Sequence, residues 1–446
     1  MHIVFVTFHF PPSAAVGAQR PAKMVDALLN AGHTVTVVAR AEPGAATHER
    51  QFGGRLTVCR VVPWRGSADF YLRAKALAAI RRRSTSKPQI HAPWTRAPTR
   101  GAEGSSPWWR RFVRSLTVLP DADRGFILPA IRAGRAAIHD GASVLVTTAP
   151  PWSVHIVGLL LKSMTHVRWI ADYRDPWTGS VTDPKVRDLV KPRSMRTSLT
   201  DAFEAWLERQ CLCSADRIVC ATYGIAAFTA AKISMTGQAK TRVVLNGIDA
   251  PGPASWPKPA GDRLKIVHAG NCYVGRDPLP FLEALAALRS GDESRARDVD
   301  VDFIGACRTF KGRDVAAEAA ERGLGSVVRF SDWLPKVEAD KAVRQADLLL
   351  LLAQDQPICV PNKLYDYLST GRPILAFTSG ETAAMLARAG GHSVVTTDDP
   401  DDAVRALASA LLRARTGGFA GDRSVLTAWS TLAQMDAFVA MVEQLN

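Results

Sequence analysis

The stretch ADYRDPW (171–177) concentrates two carboxylates, a guanidinium and an indole: Asp172, Arg174, Asp175 and Trp177. Burying such a set costs free energy unless its charges are paired or used. It marks either a self-satisfied ion-pair turn or the polar wall of a cleft. A second set lies in HAGNCYVGRDP (268–278), where Arg276 stands just outside an expected helix start. Asp277 is placed to cap that helix and Pro278 to occupy its first position. Arginine is always charged and forks its donors, which suits a diphosphate. The third set is PNKLYDYLSTGRPILAF (361–377). Asn362 is expected to cap a helix on which Lys363 and Asp366 share a face, and Gly371 to end it. A carboxylate such as Asp366 suits the paired hydroxyls of a ribose. Beyond the next strand, Thr378, Ser379 and Gly380 open another helix, whose N–H groups and dipole favour a phosphate. Gly17, closing the loop HFPPSAAVG (9–17), makes a similar helix mouth.

All of these residues sit where apolar runs end. The expected strands are His2–Phe8, Thr34–Ala39, Leu56–Val62, Ser143–Thr148, Val167–Tyr173, Arg217–Ala221 and Thr241–Leu245, then Leu264–Ala269, Val299–Ile304, Ser326–Phe330, Asp347–Leu352, Pro373–Phe377 and His392–Thr397. Helical periodicity fills the gaps, as in Arg20–Ala31, Leu279–Arg289, Val315–Arg322 and Asp402–Arg413. Strand–helix alternation of this kind predicts an α/β protein with doubly wound parallel sheets. The runs are apolar throughout rather than alternating, as in strands covered on both faces. Ligands of such sheets bind at the carboxyl ends of the strands. The Pro- and Gly-rich stretch 249–263 reads as a linker between an N-terminal domain, 1–248, and a C-terminal domain, 264–425. A final helix is expected within 426–446.

The chain has 446 residues, 47% of them apolar, and no apolar run long enough for a bilayer span. The start HIVFVTF reads as a strand rather than a signal peptide. Seven cysteines without a C-x-x-C pair point away from a metal or disulfide framework and towards a reducing cytoplasm. The net charge of +14 calls for an anionic partner. Its focus is a segment of about 72–115, with eleven basic residues against Glu103 alone and Trp94, Trp108 and Trp109 interleaved. That mixture suits an anionic membrane surface. No nucleic-acid recognition motif accompanies it, so nucleic acid is not an expected partner. The D-x-D spacing within Asp298–Asp302 falls at the start of a strand, the wrong sheet end for a ligand, and reads as solvent-facing.

In order along the chain, FVTFHFPPSAAVGAQRP, RWIADYRDPW, SADRIVCAT, VVLNGID, HAGNCYVGRDP, QADLLLLLA and PNKLYDYLSTGRPILAF resemble the GT-B glycosyltransferases of the retaining group called family 4. The resemblance implies two Rossmann-like domains facing across a cleft, the first for an acceptor and the second for a nucleotide-sugar donor. It implies no bound metal or cofactor, and a terminal helix that crosses back to the first domain. It places Gly17, Gly270, Asn271, Arg276, Asp366, Ser379 and Gly380 on the donor, with Arg276 against the diphosphate and Asp366 at the ribose. Asp172, Arg174, Asp175 and Trp177 fall on the acceptor side of the cleft, and Arg276, Lys363 and Asp175 are the candidate catalytic groups. Three positions depart from the family. Ile358 and Asp366 stand where two glutamates are usual, Asn271 replaces an arginine, and Thr148 replaces a histidine. A UDP- or GDP-sugar is the expected donor. The expected acceptor is a glycan, membrane-borne or lipid-linked, at the inner face of the plasma membrane. A nucleotide-sugar epimerase or a non-catalytic scaffold on the same fold are the alternatives.

Overall fold

A computed structural model describes residues 1–64, 119–179, 197–233, 235–250, 261, 263–273, 275–291, 298–354, 356–396, 398–417 and 421–445. The basic segment of about 72–115 and most of the expected linker 249–263 lie outside the described residues, as does Asp355. In the N-terminal half the strands are β1 (His2–Thr7), β2 (Thr34–Arg40), β3 (His48–Gln51), β4 (Leu56–Val61), β5 (Val144–Ala149), β6 (Arg168–Tyr173), β7 (Arg217–Cys220) and β8 (Thr241–Val243). They form one sheet in the order β3-β4-β2-β1-β5-β6-β7-β8. β1 pairs in parallel with β2 and β5, and β3 runs antiparallel to β4. The polar sequence HERQ of β3 carries no strand periodicity, and its pairing with β4 places it at the sheet edge.

The C-terminal half contains β9 (Leu264–Ala269), β10 (Val299–Ile304), β11 (Thr309–Phe310), β12 (Arg313–Asp314), β13 (Val328–Ser331), β14 (Leu348–Ala353), β15 (Ile374–Thr378) and β16 (Ser393–Val395). Apart from the small β11–β12 pair, these strands make an all-parallel sheet in the order β13-β10-β9-β14-β15-β16. Counting strands from β9, that is the 3-2-1-4-5-6 order of a dinucleotide-type doubly wound domain, with its switch point between β9 and β14. The run LLLLLA of β14 shows why the sheet must be covered twice. Leu348, Leu350 and Leu352 pack with Leu282, Leu285 and Leu407 on one face. Leu349 and Leu351 pack with Leu364, Leu368 and Leu386 on the other. Each of these fully buried leucines contributes about 1.5–3 kcal/mol.

Asp300 and Asp302 are held by their own strand neighbours. Asp300 pairs with Arg263 at 2.9 Å, and Asp302 with Arg329 at 2.9 Å and Lys265 at 3.3 Å. These aspartates therefore form an ion-pair ladder across β9, β10 and β13. The chain divides into two compact units, residues 1–172 with 193–218 and 445–446, and residues 173–192 with 219–444. Among the described residues no helix is long and apolar enough to cross a membrane.

Candidate active site

At the switch point of the C-terminal sheet, the loops that follow β9 and β14 are tied together by Gln354. Its N–H donates to the Gly275 carbonyl (2.9 Å), its Oε1 accepts from the Asp277 N–H (3.1 Å), and its Nε2 donates to the Asp277 carbonyl (2.8 Å). Asp277 Oδ1 accepts from the Leu279 N–H (2.9 Å) and so secures the start of the helix Leu279–Ser290. These bonds hold Arg276 between two fixed residues. Its guanidinium stacks on the Tyr273 ring at 4.6 Å, and its buried Nε has no hydrogen-bond partner.

Lys363 lies one residue inside the helix Asn362–Thr370 and reaches back to the end of β9. A β-carbon at Gly270 would coincide with the Lys363 ammonium, so only glycine leaves it room. Lys363 is half-buried, with its ammonium against Gly270. Burial, reinforced by the Arg276 charge, lowers the Lys363 pKa to about 8, against the opposing influence of Cys307, Cys272 and, least, Asp366. Among the described residues neither Arg276 nor Lys363 makes an ion pair with a carboxylate. Two neighbouring cations at a doubly wound switch point, neither ion-paired among the described residues, are chemically suited to an anion.

Asp366 is exposed on the same helix as Lys363, three residues on. Asn362 does not cap that helix as its sequence position suggests. Pro361 occupies the cap position without a side-chain bond, and Asn362 Oδ1 instead accepts from Asn246 Nδ2 at 2.5 Å. Gly371 ends the helix in the left-handed region, φ 70°, as expected. Asn271 Oδ1 accepts from the Ala306 N–H (3.1 Å) and is thereby joined to the turn after β10. Ser379 is the N-cap residue of the helix Gly380–Ala389, with its hydroxyl directed at the Gln354 carbonyl (3.5 Å). Gly380 has φ 59°, and a β-carbon there would strike the Pro357 backbone. The next residue, Glu381, accepts from the N–H groups of Tyr223 (2.6 Å) and Gly224, at the start of the helix Tyr223–Ala230. Ile358 packs against the same Gly224, and its carbonyl accepts from Thr222 Oγ1 (2.6 Å).

The ADYRDPW set does not stay together as one polar group. Asp172 is wholly buried and accepts from Arg20 Nη2 (2.7 Å), Arg20 Nε (3.0 Å) and Thr148 Oγ1 (2.6 Å). The arginine that satisfies it comes from the helix Gln19–Asn30, not from the adjacent Arg174. Trp177 is buried, whereas Asp175 is exposed at the surface. Crowding by protein still raises the Asp175 carboxyl above its ordinary range, with Arg174 opposing. Asp175 also lies close enough to Cys359, in the loop after β14, to influence its thiol. Gly17 sits in the short 3-10 turn Val16–Ala18 that leads into the helix of Arg20.

Sequence reasoning passed over Gln354, Tyr367, Glu381 and the group His268, Cys272 and Cys307. Tyr367 Oη accepts from the Ala269 N–H at 3.0 Å and so holds the end of β9 against the Lys363 helix. The three soft or basic side chains are buried near the ends of β9 and β10.

No curated protein matches the chain. Its residues 263–414 match the family model described as glycosyl transferases group 1. Among solved structures, it is similar to sucrose-phosphate synthase (tll1590) from Thermosynechococcus elongatus, with 16% identity over 100% of this chain and 98% of that one and a TM-score of 0.58. A structure described as trehalose-6-phosphate from E. coli bound with UDP-2-fluoro glucose aligns at 13% identity over 100% and 99% of the two chains, with a TM-score of 0.59. The lipopolysaccharide outer core galactosyltransferase WaaB aligns at 11% identity over 99% and 100%, with a TM-score of 0.55. The Arg276–Lys363 pair described above lies inside the matched segment, on the doubly wound sheet that the likeness requires, and the chain has the GT-B fold of these glycosyltransferases.

Proposed function

We propose that the chain transfers a sugar, with retention, from a UDP- or GDP-sugar to a glycan acceptor carried on a lipid or membrane, in the synthesis of a surface polysaccharide or glycoconjugate. The observation that carries this reading is the pair Arg276 and Lys363 at the switch point, two cations that have no carboxylate ion-pair partner among the described residues. In this scheme the donor diphosphate lies against the two cations, and Asp366 holds the ribose. Ser379 and Gly380, at a helix start, lie on the phosphate or sugar side. The leaving diphosphate takes the acceptor proton on the same face while Arg276 and Lys363 stabilise its growing charge. Asp175, with its raised carboxyl, is a candidate to assist on the acceptor side. The E. coli relative is described with a UDP-sugar analogue and WaaB with a lipopolysaccharide role, which supports the donor class and the kind of acceptor. The tryptophan-bearing basic segment of about 72–115 favours a cytoplasmic protein docked on the inner face of an anionic membrane.

The test is a donor screen with mass detection of released nucleotide, with and without lipid-linked acceptors, and NMR assignment of the new anomeric centre. Release that depends on acceptor, with the anomeric configuration kept, is the expected result. Conversion of a UDP-sugar to an epimer without acceptor would replace the proposal by epimerase chemistry, and no nucleotide binding at all would leave a scaffold.

Two further results are expected from the Lys363 environment. Its folded pKa lies below the ordinary lysine value, so its ammonium opposes folding below about pH 8, and that penalty fades as pH rises towards the ordinary value. Anion binding has the opposite sign, because it needs the charge. Affinity for a nucleoside diphosphate should therefore weaken above about pH 8, by at most about tenfold per pH unit. In Lys363→Met it should be weak and flat over the same range, as read by calorimetry. Gly270→Ala should likewise weaken nucleotide binding, because its methyl group would displace the Lys363 ammonium, and should also lower the melting temperature, because a side chain at φ 159° is strained. Binding that stays intact in the folded fraction would refute that reading.

A further inference from the structure

His268, Cys272 and Cys307 are all buried, and one ligand atom from each lies within 4.8 Å of the other two. Among the described residues, no other group of three or more His, Cys, Asp or Glu side chains comes together in this way. The imidazole is already oriented. Its Nδ1 lies 2.9 Å from the Leu350 carbonyl, a contact that requires the proton on Nδ1. That leaves Nε2 with a lone pair, buried and without a hydrogen-bond partner. A ring nitrogen fixed by a backbone carbonyl on its far side is the arrangement found behind metal-ligating histidines. Cys307 Sγ in turn lies 2.8 Å from the Gly270 carbonyl, and the Cys272 N–H donates to the Ala306 carbonyl at 3.1 Å, so both cysteines stand on turns held to one another.

We propose that His268 Nε2, Cys272 Sγ and Cys307 Sγ form a buried site for one soft divalent metal ion of the zinc class. Ligand atoms on tetrahedral zinc lie roughly 3.5–3.8 Å apart, so the present cluster needs a contraction of at most about an ångström, within reach of side-chain rotation. The two thiols lose one proton each to solvent as two sulfur–metal bonds and one nitrogen–metal bond form. The product carries no net charge, which suits the neighbourhood of Arg276 and Lys363 better than a bare cation would. Three protein ligands leave a fourth position for water or a carbonyl. Thiolates and imidazole select zinc over magnesium or calcium. The site uses none of the side chains assigned to the donor and goes beyond the proposed transfer.

The full chain, stripped with chelator under reducing conditions and titrated with Co²⁺, should develop a thiolate-to-cobalt charge-transfer band. The band should saturate at one equivalent, release about two protons per metal near neutral pH, and be displaced by Zn²⁺ but not by Mg²⁺. His268→Gln, Cys272→Ser and Cys307→Ser should each weaken binding by more than about a hundredfold, whereas Cys213→Ser, at an exposed position, should leave it unchanged. Absence of a band, or a band that survives both Cys272→Ser and Cys307→Ser, overturns the proposal. If the buried variants fold poorly, X-ray absorption of the zinc-loaded wild-type chain decides. A shell containing two sulfurs supports the site, and a shell of nitrogen and oxygen alone overturns it.

Discussion

Arg276→Ala and Lys363→Met are each expected to lower the rate of sugar transfer by about a hundred- to a thousandfold, the range for removing one group that stabilises developing charge in an enclosed site. The two cations meet at the switch point of the sheet, Arg276 from the loop after β9 and Lys363 from the helix after β14, and in the proposed reaction they act on one leaving group. The double variant should therefore lose less than the product of the two single losses. A structural explanation predicts a different pattern. Lys363 carries a charge that burial disfavours, so methionine at this position should keep or raise the melting temperature at neutral pH while turnover falls. Arg276 makes no ion pair among the described residues, so its loss should not unfold the protein either. Turnover at saturating donor that stays within a few-fold of wild type would remove both residues from the catalytic assignment.

Arg20→Met should destabilise the chain by about 3–5 kcal/mol. Asp172 has no exposed surface and Arg20 almost none, and the guanidinium supplies three of the contacts to that carboxylate. Without it, Thr148 Oγ1 remains as a single neutral donor to a buried charge. Against a typical total stability of about 5–15 kcal/mol, the loss would be read easily as a fall in denaturant midpoint. Arg20→Met combined with Asp172→Leu should recover much of it, because the penalty belongs to the uncompensated carboxylate rather than to the missing pair. A single variant that loses less than about 1 kcal/mol would show that water or another donor reaches Asp172. The thermodynamic cycle also separates structure from chemistry. If the recovered double variant still transfers sugar, Asp172 serves the fold.

The strands that the sequence reveals best are those covered on both faces. The expected bounds of β9 and β10 coincide with the observed ones, since each keeps buried apolar residues at alternate positions even where Lys265, Asp300 and Asp302 pair across the strands. β3 escaped notice because HERQ at a sheet edge buries almost nothing, and its existence depends on a partner strand. Helix ends were legible where a side chain acts locally, as Asp277 does by accepting from the Leu279 N–H (2.9 Å). Asn362 misled because its oxygen is claimed by Asn246, a residue 116 positions away.

Residue types and their place at strand ends were thus enough to determine the α/β class and to single out Arg276, Lys363 and Asp366, because burial and charge leave a periodic mark on the chain itself. Partner choice leaves no such mark. Only the tertiary structure decided that Asp172 closes on Arg20 across 152 residues, that the Lys363 ammonium occupies the space above Gly270, and that His268, Cys272 and Cys307 converge. The physical reason is strand order. Which loops become neighbours depends on how β9, β10 and β14 lie side by side, and that order follows from the packing of two whole layers of helices.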